Sequence, residues 1–503
     1  MAIFDIFFFV VSVIFLGICY VKKKYRYWEE RGVPFIKPSF PKGNLVTVGR
    51  TEQFSYMMRR FYFELKDQGS PIGGIYFSVK PVALALDLDF IKTILIKDFQ
   101  HFHDRGFYND RNDPLSDHML VMEGERWKNL RTKLSPAFTT GKLKLMFPII
   151  KDISAKLVAC VEREIVKDGD IDLDTYMSRF SIDVIGSCAF GLECNSLNDP
   201  DTEFYRMGRK AFYETGHQAF KRWFATTFKS LATFLRFRVT RKDVAEFYTG
   251  IVKKTVSYRE SENVERNDFM NLLIQLKNKG KLDDDPGKSV GKITLNEVIA
   301  NAFLFLVAGF ETSSMTMKCC LLELAHEIKI QGRLREEISS VLRRYGNKIT
   351  YEALSEMKYL DQVIYETLRK HPVAGTLARC LETDYKVPKT DVVLEKGTHV
   401  FIPIMGIHRN PDFFPDPDKF DPDRFTPEAI KSRHPCAYLA FGDGPRNCIG
   451  MRFGMMQTKI AISGLLMNYK FSPCDKTNFP VKYDPPSRLL TLLGGCWLKV
   501  EKL

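Results

Sequence analysis

A single cysteine stands in an unusual setting near the end of the chain. The stretch FGDGPRNCIG, residues 441–450, places Cys448 among three glycines and a proline, and an apolar pattern of helical period follows at once. Glycine allows tight turns and close approach of a neighbouring group. The start of a helix points N–H groups at a sulfur and lowers the pKa of its thiol. The stretch therefore predicts a cysteine held in a stiff turn for chemistry.

Several kinds of cysteine chemistry compete for this position. A structural buried thiol is the commonest case, but it does not need glycines beside it. A hydrolase nucleophile favours a GxSxG-like elbow, whereas Pro-Arg-Asn precedes Cys448, and zinc needs more ligands than the distant His434 supplies. One thiolate binding a single metal centre explains the turn better. A haem has the matching features: iron for the sulfur, a flat ring for the glycines, and propionates for an arginine such as Arg446.

A long apolar run supplies a second group of polar residues. The capping box from Thr294 to Glu297 starts a helix whose stretch VIANAFLFLVAGF, residues 298–310, carries no charge. The run is too short to span a membrane and predicts a helix buried in a large core. The stretch AGFETS within it, residues 308–313, predicts a local opening, because Gly309 and Thr312 both weaken a helix. Taken alone, these residues fit a tolerated glycine and a capped threonine better than a site.

Two further segments are weak when each is considered alone. In YLDQVIYETLRKHP, Glu366 and Arg369 lie three residues apart on one helix face, which usually indicates a surface ion pair. PDKFDPDRF, which ends at Phe425 and contains Arg424, cannot form a regular helix and predicts a structured loop.

Together these segments resemble the cytochromes P450. FGDGPRNCIG matches the haem-binding signature of that family, Phe-x-x-Gly-x-(Arg or His)-x-Cys-x-Gly, at every specified position. AGFET is similar to the oxygen-binding stretch of the central helix of the family, ETLR to its ExxR motif, PDKFDPDRF to PxxFxPxRF, and WKNLR to the Trp-x-x-x-Arg of an early helix. The five motifs occur in family order. YWEERGVPFIKPSFPKGN and GIHRNPDFFPDPDKFDPDRF resemble insect detoxification members of the microsomal branch.

The resemblance implies a role for each matching residue. Cys448 would be the proximal thiolate ligand of a haem b, with arginines on the propionates, and Gly309 would leave room for dioxygen. The residues predicted to bind the cofactor are Cys448, Arg446, Trp127, Arg131, Arg379, Gly309, Phe441 and Gly450. The predicted proton-delivery pair is Thr312 with Glu311. The predicted structural triad behind the haem is Glu366, Arg369 and Arg424.

The implied reaction inserts one oxygen atom from O2 into a lipophilic small molecule, most plainly a xenobiotic or toxin. No flavin or nicotinamide fingerprint is present, so electrons from NADPH would arrive through NADPH–cytochrome P450 reductase, with cytochrome b5 as a further partner. The alternatives are an endogenous steroid or fatty-acid hydroxylase, and a thiolate-haem isomerase or non-catalytic haem protein. The segments expected at the substrate are 107–115, 307–308, 373–377 and Leu490.

The elements that must position these residues are mostly helical. Helical periodicity dominates from about residue 124 to 370, residues 385–425 are proline-rich and irregular, and the tail from Tyr483 predicts strands. Residues 72–86 predict a hairpin broken at Lys80-Pro81, and Asp89 is expected to cap the following helix. The predicted fold class is mainly α with a minor β-sheet region, the cytochrome P450 fold.

The N-terminus predicts a membrane anchor. Its apolar run has the length to span a bilayer, and the basic residues Lys22, Lys23, Lys24 and Arg26 follow it, so the tail faces the lumen and the body faces the cytosol. The predicted parts are a transmembrane signal anchor over 1–21, a basic and proline-rich linker over 22–44, and a catalytic domain over 45–503. The predicted location is the endoplasmic reticulum membrane.

Charge and cysteine usage agree with a cytosol-facing body. The 503-residue chain has a formal net charge of +13 but no basic run with interleaved aromatic residues, so nucleic acid is excluded as a partner. None of the eleven cysteines forms a CxxC pair, as expected in a reducing compartment. The basic, aromatic segment 220–237 predicts either a patch that dips into the membrane or a packed helix pair.

Overall fold

The computed structural model describes residues 2–110, 113–165, 169–212, 216–283 and 290–503, and these residues are mostly helical. The first nine helices are α1 (Ala2–Lys24), α2 (Phe54–Leu65), α3 (Leu88–Lys92), α4 (Gly124–Leu134), α5 (Thr140–Ile165), α6 (Leu173–Ile185), α7 (Glu203–Phe212), α8 (Gly216–Thr227) and α9 (Lys229–Phe234). The others are α10 (Lys242–Ser261), α11 (Phe269–Lys279), α12 (Leu295–His326), α13 (Ile328–Arg344), α14 (Tyr351–Glu356), α15 (Lys358–Lys370), α16 (Ile404–Ile407), α17 (Pro427–Ser432) and α18 (Met451–Asn468).

Nine short strands make up the minor β region within the described residues. They are β1 (Ile72–Phe77), β2 (Lys80–Ala85), β3 (Asp170–Asp172), β4 (Leu377–Cys380), β5 (Tyr385–Lys386), β6 (Val393–Leu394), β7 (His399–Ile402), β8 (Tyr469–Ser472) and β9 (Trp497–Lys502). The largest sheet has the order β1-β2-β7-β4, in which only β2 and β7 run parallel. A three-stranded sheet β3-β9-β8 and the pair β5-β6 complete the set. The predicted fold class, mainly α with a minor sheet, is confirmed.

The first hairpin turns earlier than predicted. Ser78 has a φ of 54° and lies in the turn between β1 and β2. Pro81 lies inside β2, and β2 begins to pair with β7 one residue later, at Val82. The missing N–H of Pro81 therefore removes no hydrogen bond between β2 and β7. The predicted cap at Asp89 is also wrong. Asp87 caps α3, because its side chain accepts a hydrogen bond from the N–H of Phe90 at 2.8 Å.

Helix α12 lies at the centre of the larger of two hydrophobic clusters. It begins at the predicted capping box, with Thr294 and Glu297 exchanging both hydrogen bonds. Helices α6, α15 and α18 pack around it, and most of its side chains are buried. The helix is continuous through Gly309 and Thr312, which agrees with a tolerated glycine and a capped threonine.

The second hydrophobic cluster joins the N-terminal residues to the largest sheet. Trp28 is fully buried, and its ring fills the space above Gly74, where a Cβ atom would lie 2.3 Å from it. The N–H of Ile36 donates to the carbonyl of Gly74, and the N–H of Gly74 donates to the carbonyl of Pro34. The proline-rich segment around residues 34–36 therefore packs on the sheet.

Two helices in the described part of the chain are long and apolar enough to cross a membrane. One is α12, whose apolar window is 72% buried in the core. The other runs over Phe4–Arg31, with a mean hydropathy of 2.5 and an apolar window of which nothing is buried. Because the side chains of residues 4–19 are exposed, α1 presents an uncovered apolar surface, which is typical of a membrane anchor.

Candidate active site

The turn that carries Cys448 depends on two glycines with positive φ. Gly442 and Gly444 both have a φ of 68°, a conformation that side chains disfavour. A Cβ atom on Gly444 would also lie 1.9 Å from the carbonyl oxygen of Leu95. The N–H of Cys448 donates to the carbonyl of Phe441 at 2.9 Å and closes the turn. These two glycines therefore shape the chain, and only Gly450, the N-cap of α18, has open space where a flat ligand could approach.

The thiol of Cys448 faces a space inside the protein. The residue is accessible, and yet burial raises the pKa of its thiol, because the surrounding chain keeps bulk water away. The N–H of Gly450 and the positive charges of Arg131 and Arg105 act in the opposite direction and lower the pKa of the same thiol. An accessible sulfur with one donor and two cations nearby is suited to serve as a thiolate ligand.

Helix α12 lies directly against the helix that follows the cysteine. The side-chain Nε2 of Gln457 in α18 donates to the carbonyl of Gly309 at 3.4 Å. A Cβ atom on Gly454 would lie 3.8 Å from Oγ of Ser313. Ala308 is exposed although it lies in the middle of a buried helix. The structure thus brings the AGFETS stretch and the cysteine turn together, with an accessible face of α12 at Ala308.

Gly309 does not leave a gap on the side where a side chain would project. A Cβ atom there would lie 2.4 Å from Cδ1 of Ile185 in α6. The glycine therefore allows α6 to approach α12 closely, and Ala308 is the residue that leaves space on the accessible face. That Gly309 makes room for dioxygen on the accessible face stays a prediction.

Thr312 and Glu311 point to different partners. Oγ1 of Thr312 donates to the carbonyl of Ala308 at 2.5 Å. Oε1 of Glu311 lies 3.6 Å from Nζ of Lys318, which in turn lies 2.5 Å from Asp174 in α6. Burial lowers the pKa of Lys318, but the charges of Glu311 and Asp174 outweigh it and raise that pKa. Lys318 was not predicted from the sequence as a partner of Glu311, although a spacing of seven residues places it on the same helix face.

Three arginines lie close together near the cysteine, and we refer to Arg105, Arg379 and Arg446 as the arginine cluster. Arg379 and Arg446 are buried, and Arg105 is partly buried. Nε of Arg379 and both Nε and Nη1 of Arg446 are buried without a hydrogen-bond partner among the described residues. Burial, and then mutual repulsion, lowers the pKa of Arg379 and of Arg446 to about 9. Burial likewise lowers the pKa of Arg105 to about 10. Arg105 was not predicted, because no motif or helical spacing marks it.

Trp127 and Arg131 lie beside the cluster on α4. The guanidinium of Arg446 stacks over the Trp127 ring, 4.3 Å from its centroid. Arg131 donates to the carbonyl of Asn447 at 3.1 Å and to its Oδ1 at 3.0 Å, so it binds the cysteine turn directly. All four arginines and the tryptophan thus border one region beside Cys448.

The arginine cluster fits a ligand that carries two carboxylates. Buried guanidinium groups without counter-charges are costly, and the one carboxylate within 4 Å of them in the described part of the chain belongs to Asp104. Two propionates would supply the missing acceptors through charge-assisted bonds. A sulfur ligand, a flat opening at Gly450 and two propionate partners are what a haem requires, so the residues present fit that group.

The predicted structural triad forms a closed ion-pair network. Glu366 and Arg369 are both fully buried, with Nε and Nη2 of Arg369 2.6 and 2.8 Å from the two oxygens of Glu366. Arg369 also donates to the carbonyl of His408 at 2.9 Å. Nε of Arg424 lies 3.6 Å from Glu366. The pair is therefore not on the surface, which is where the spacing alone would place it.

The segments expected at the substrate lie in different settings. Residues 111 and 112 of the 107–115 segment lie outside the described residues. The N–H of Leu490 donates to the carbonyl of Val373 at 3.2 Å and both side chains are buried, whereas Ala374 is accessible. Helices α8 and α9 expose a patch of large apolar side chains: Phe220, Trp223, Phe228, Leu231 and Phe234.

Comparison with known proteins agrees with this geometry. The cytochrome P450 family model matches residues 38–495. The protein called probable cytochrome P450 6a14 of Drosophila melanogaster is 45% identical over 97% of this chain and 98% of its own length. Cytochrome P450 6a2 of the same species is 43% identical over 96% of both chains, and cytochrome P450 6A1 of Musca domestica is 40% identical over 97% of this chain and 96% of its own length. The chain belongs to the cytochrome P450 family and is a haem-thiolate monooxygenase similar to insect members of that family.

Proposed function

We propose that this enzyme is anchored in a membrane and oxidises lipophilic foreign compounds, such as toxins, by inserting one oxygen atom from O2. The observation that carries the proposal is the accessible thiol of Cys448 between the arginine cluster and the accessible face of α12 at Ala308. The haem supplies oxygen activation and transfer, and the protein supplies binding, orientation and charge.

The residues of this chain would hold the haem from two sides. Cys448 would ligate the iron, at a turn whose open space at Gly450 admits the ring while the carbonyl of Phe441 closes the turn behind it. The unpaired nitrogens of Arg379 and Arg446 would bind the propionates. Arg105, Arg131 and Trp127 would complete this side, through charge and through stacking on Arg446.

Thr312 and Glu311 would deliver protons to the reacting oxygen. The hydroxyl of Thr312 donates to the carbonyl of Ala308. After turning away from that carbonyl, it would give its proton to the reacting oxygen and take one from a neighbouring water. Glu311 is held by Lys318 and would exchange protons through water after a side-chain rotation away from that amine. Glu366, Arg369 and Arg424 would hold the loop behind the haem.

Electrons would come from NADPH through a membrane-bound cytochrome P450 reductase, with cytochrome b5 as a second donor. The body would face the cytosol from the endoplasmic reticulum membrane, because the basic residues Lys22–Lys24 follow the apolar helix. We divide the chain into an anchor over 1–21, a linker over 22–44 and a catalytic domain over 45–503. The apolar patch on α8 and α9 would touch the same membrane, where lipophilic substrates concentrate.

The absorption spectrum of the reduced, CO-bound protein tests the proposal. Wild type should give a strongly red-shifted Soret band, and Cys448→Ala should lose it. Cys436→Ala is the matched control, because Cys436 is buried twelve residues earlier and should leave the band intact. A thiolate-type band in Cys448→Ala would contradict the assignment.

Turnover separates the remaining functions. Oxidation of a panel of plant toxins and insecticides that depends on NADPH, O2 and reductase would support the proposal. Turnover without NADPH would indicate an isomerase, and activity confined to steroids or fatty acids would indicate an endogenous hydroxylase.

A further inference from the structure

Asp104 lies where the segments that carry the arginine cluster meet. It is buried, with 3% of its surface exposed. Its Oδ1 accepts a hydrogen bond from the N–H of Gly124 at 2.8 Å and one from Nδ1 of His103 at 2.7 Å. The same oxygen lies 3.7 Å from Nη2 of Arg446. One carboxylate oxygen thus contacts both the start of α4 and the arginine that stacks on Trp127.

The main chain of Asp104 makes a further connection. The N–H of Cys380 donates to the carbonyl of Asp104 at 2.8 Å, in an isolated antiparallel bridge. Cys380 directly follows Arg379 in β4, and Asp104 directly precedes Arg105. Nη2 of Arg105 reaches back to the carbonyl of Arg446 at 3.5 Å. Every arginine of the cluster is therefore tied, through one or two bonds, to Asp104.

Asp104 places a negative charge among the arginines that border the site. The arginine cluster carries three positive charges, and a haem brings two propionates. The carboxyl of Asp104 stays ionised: burial raises the pKa of Asp104, but the hydrogen bonds from His103 and Gly124 outweigh burial and bring that pKa below its usual range. Burial and the neighbouring Asp104 raise the pKa of Glu382.

We infer that Asp104 is a positioning residue of the haem site. It holds Arg446 and the start of α4 in the place where Arg446 binds a propionate, and its negative charge next to that propionate lowers the reduction potential of the iron. This inference rests on the proposed haem-binding role of the arginine cluster, and it assigns Asp104 no contact with haem or substrate.

Two substitutions separate charge from position. Asp104→Asn keeps an oxygen that can accept from Gly124 but removes the charge, so the haem should be retained while its midpoint potential shifts to a more positive value. Asp104→Ala also leaves the Gly124 N–H and Arg446 without a partner. Its haem should transfer to apomyoglobin about tenfold faster or more, because an unsatisfied buried donor costs about 1–3 kcal/mol.

Asp117→Asn is the matched control. Asp117 lies in the same loop and binds Arg126 at 2.6 Å and Asn109 at 2.8 Å, away from the arginine cluster. It should leave both the potential and the haem-transfer rate at wild-type values. If the midpoint potential of Asp117→Asn shifts as much as that of Asp104→Asn, the inference is overturned. Loss of any negative charge in this loop would then have the same effect on the iron.

Each measurement has an outcome against the inference. A wild-type potential in haem-loaded Asp104→Asn overturns the role of the charge, and wild-type haem transfer in Asp104→Ala overturns positioning. If Asp104→Asn does not fold, Asp104→Glu replaces it: the longer side chain should keep the potential but speed haem transfer, and wild-type transfer would overturn the inference. If wild type itself shows no thiolate-type band, the proposed function fails, whatever Asp104 does.

Discussion

Two sets of buried arginines in this protein are built in opposite ways. The charge of Arg369 is balanced within the chain. Its guanidinium donates hydrogen bonds to both oxygens of Glu366 and to the carbonyl of His408. Arg379 and Arg446 are buried almost as completely, yet three of their nitrogens have no partner among the described residues. Stacking on Trp127 and the single carboxylate of Asp104 do not balance this charge.

The difference separates structural charge from charge that is reserved for a ligand. A buried ion pair with all its hydrogen bonds made contributes to one defined structure, and removing one partner is strongly destabilising. Buried cations that repel one another instead destabilise the empty site and are relieved when an anionic ligand binds. Removing one charge at a time tests this difference between the two groups of arginines.

The largest effect should follow removal of Glu366. Glu366→Ala leaves the fully buried guanidinium of Arg369 without a counter-charge, which costs about 3–5 kcal/mol, a large part of the stability of a typical protein. Thermal unfolding and soluble yield measure the loss. Glu356→Ala is the control, because Glu356 pairs with Arg344 on the surface and should change neither. Equal behaviour of the two variants would contradict the closed-network interpretation.

Removal of Arg446 or Arg379 should spare the fold and weaken the haem. Arg446→Met and Arg379→Met each remove one charge-assisted bond to a propionate, worth about 1.5–3 kcal/mol, and so should speed haem transfer to apomyoglobin about 10- to 100-fold. The unfolding temperature of the apoprotein should not fall, because repulsion within the cluster is relieved. A drop like that of Glu366→Ala would show that these arginines are structural as well.

Acid should destabilise the protein through His408, which lies beside Arg369. Burial and the charge of Arg369 lower the pKa of His408 to about 3, so the folded protein cannot take up the proton that the unfolded chain binds below about pH 6.5. The stability of the folded state is therefore complete above about pH 6.5 and declines as the pH falls. Between pH 7.5 and 5.5 this residue alone should cost about 1.4 kcal/mol.

Unfolding in denaturant at the two pH values measures this loss. His408→Gln should reduce the difference between them, since glutamine does not titrate. A pH dependence that is the same in wild type and variant would show that His408 is protonated in the folded state.

The smallest effect on stability should come from Thr312. Thr312→Ala removes a side chain that bonds only the carbonyl of its own helix, so unfolding and the CO spectrum should stay close to wild type. NADPH consumption should continue while more of it yields peroxide instead of product, because the proton relay is lost. Ser313→Ala is the neighbouring control. Unchanged coupling in Thr312→Ala would contradict the relay.

Local sequence predicted those features that local forces decide. The capping box at Thr294, the apolar N-terminal helix and the tight turn before Cys448 each depend on residues within a few positions, and the structure contains all three. The mainly helical class followed from periodicity for the same reason. Motif order added the family, and with it most of the residues that border the site.

Features that depend on residues far apart in the chain were not predicted. Asp87 and not Asp89 caps α3, and the first hairpin turns at Ser78, since both choices depend on how the strand and helix end against the rest of the sheet. The close approach of Ile185 to Gly309 was not predicted either, because Ile185 lies more than a hundred residues away in the chain.

A thiol in a glycine turn, a long core helix and an apolar N-terminal helix follow from the amino-acid sequence, because hydrogen bonds within one turn and the burial of periodic apolar side chains act locally. Which charges have a partner and which do not depends on how distant segments pack together. Arg105 comes next to Arg379 and Arg446 through the packing of three separate segments, and Lys318 meets Asp174 across two helices. Burial strengthens the electrostatic interactions between such charged side chains, and burial depends on the fold of the whole chain.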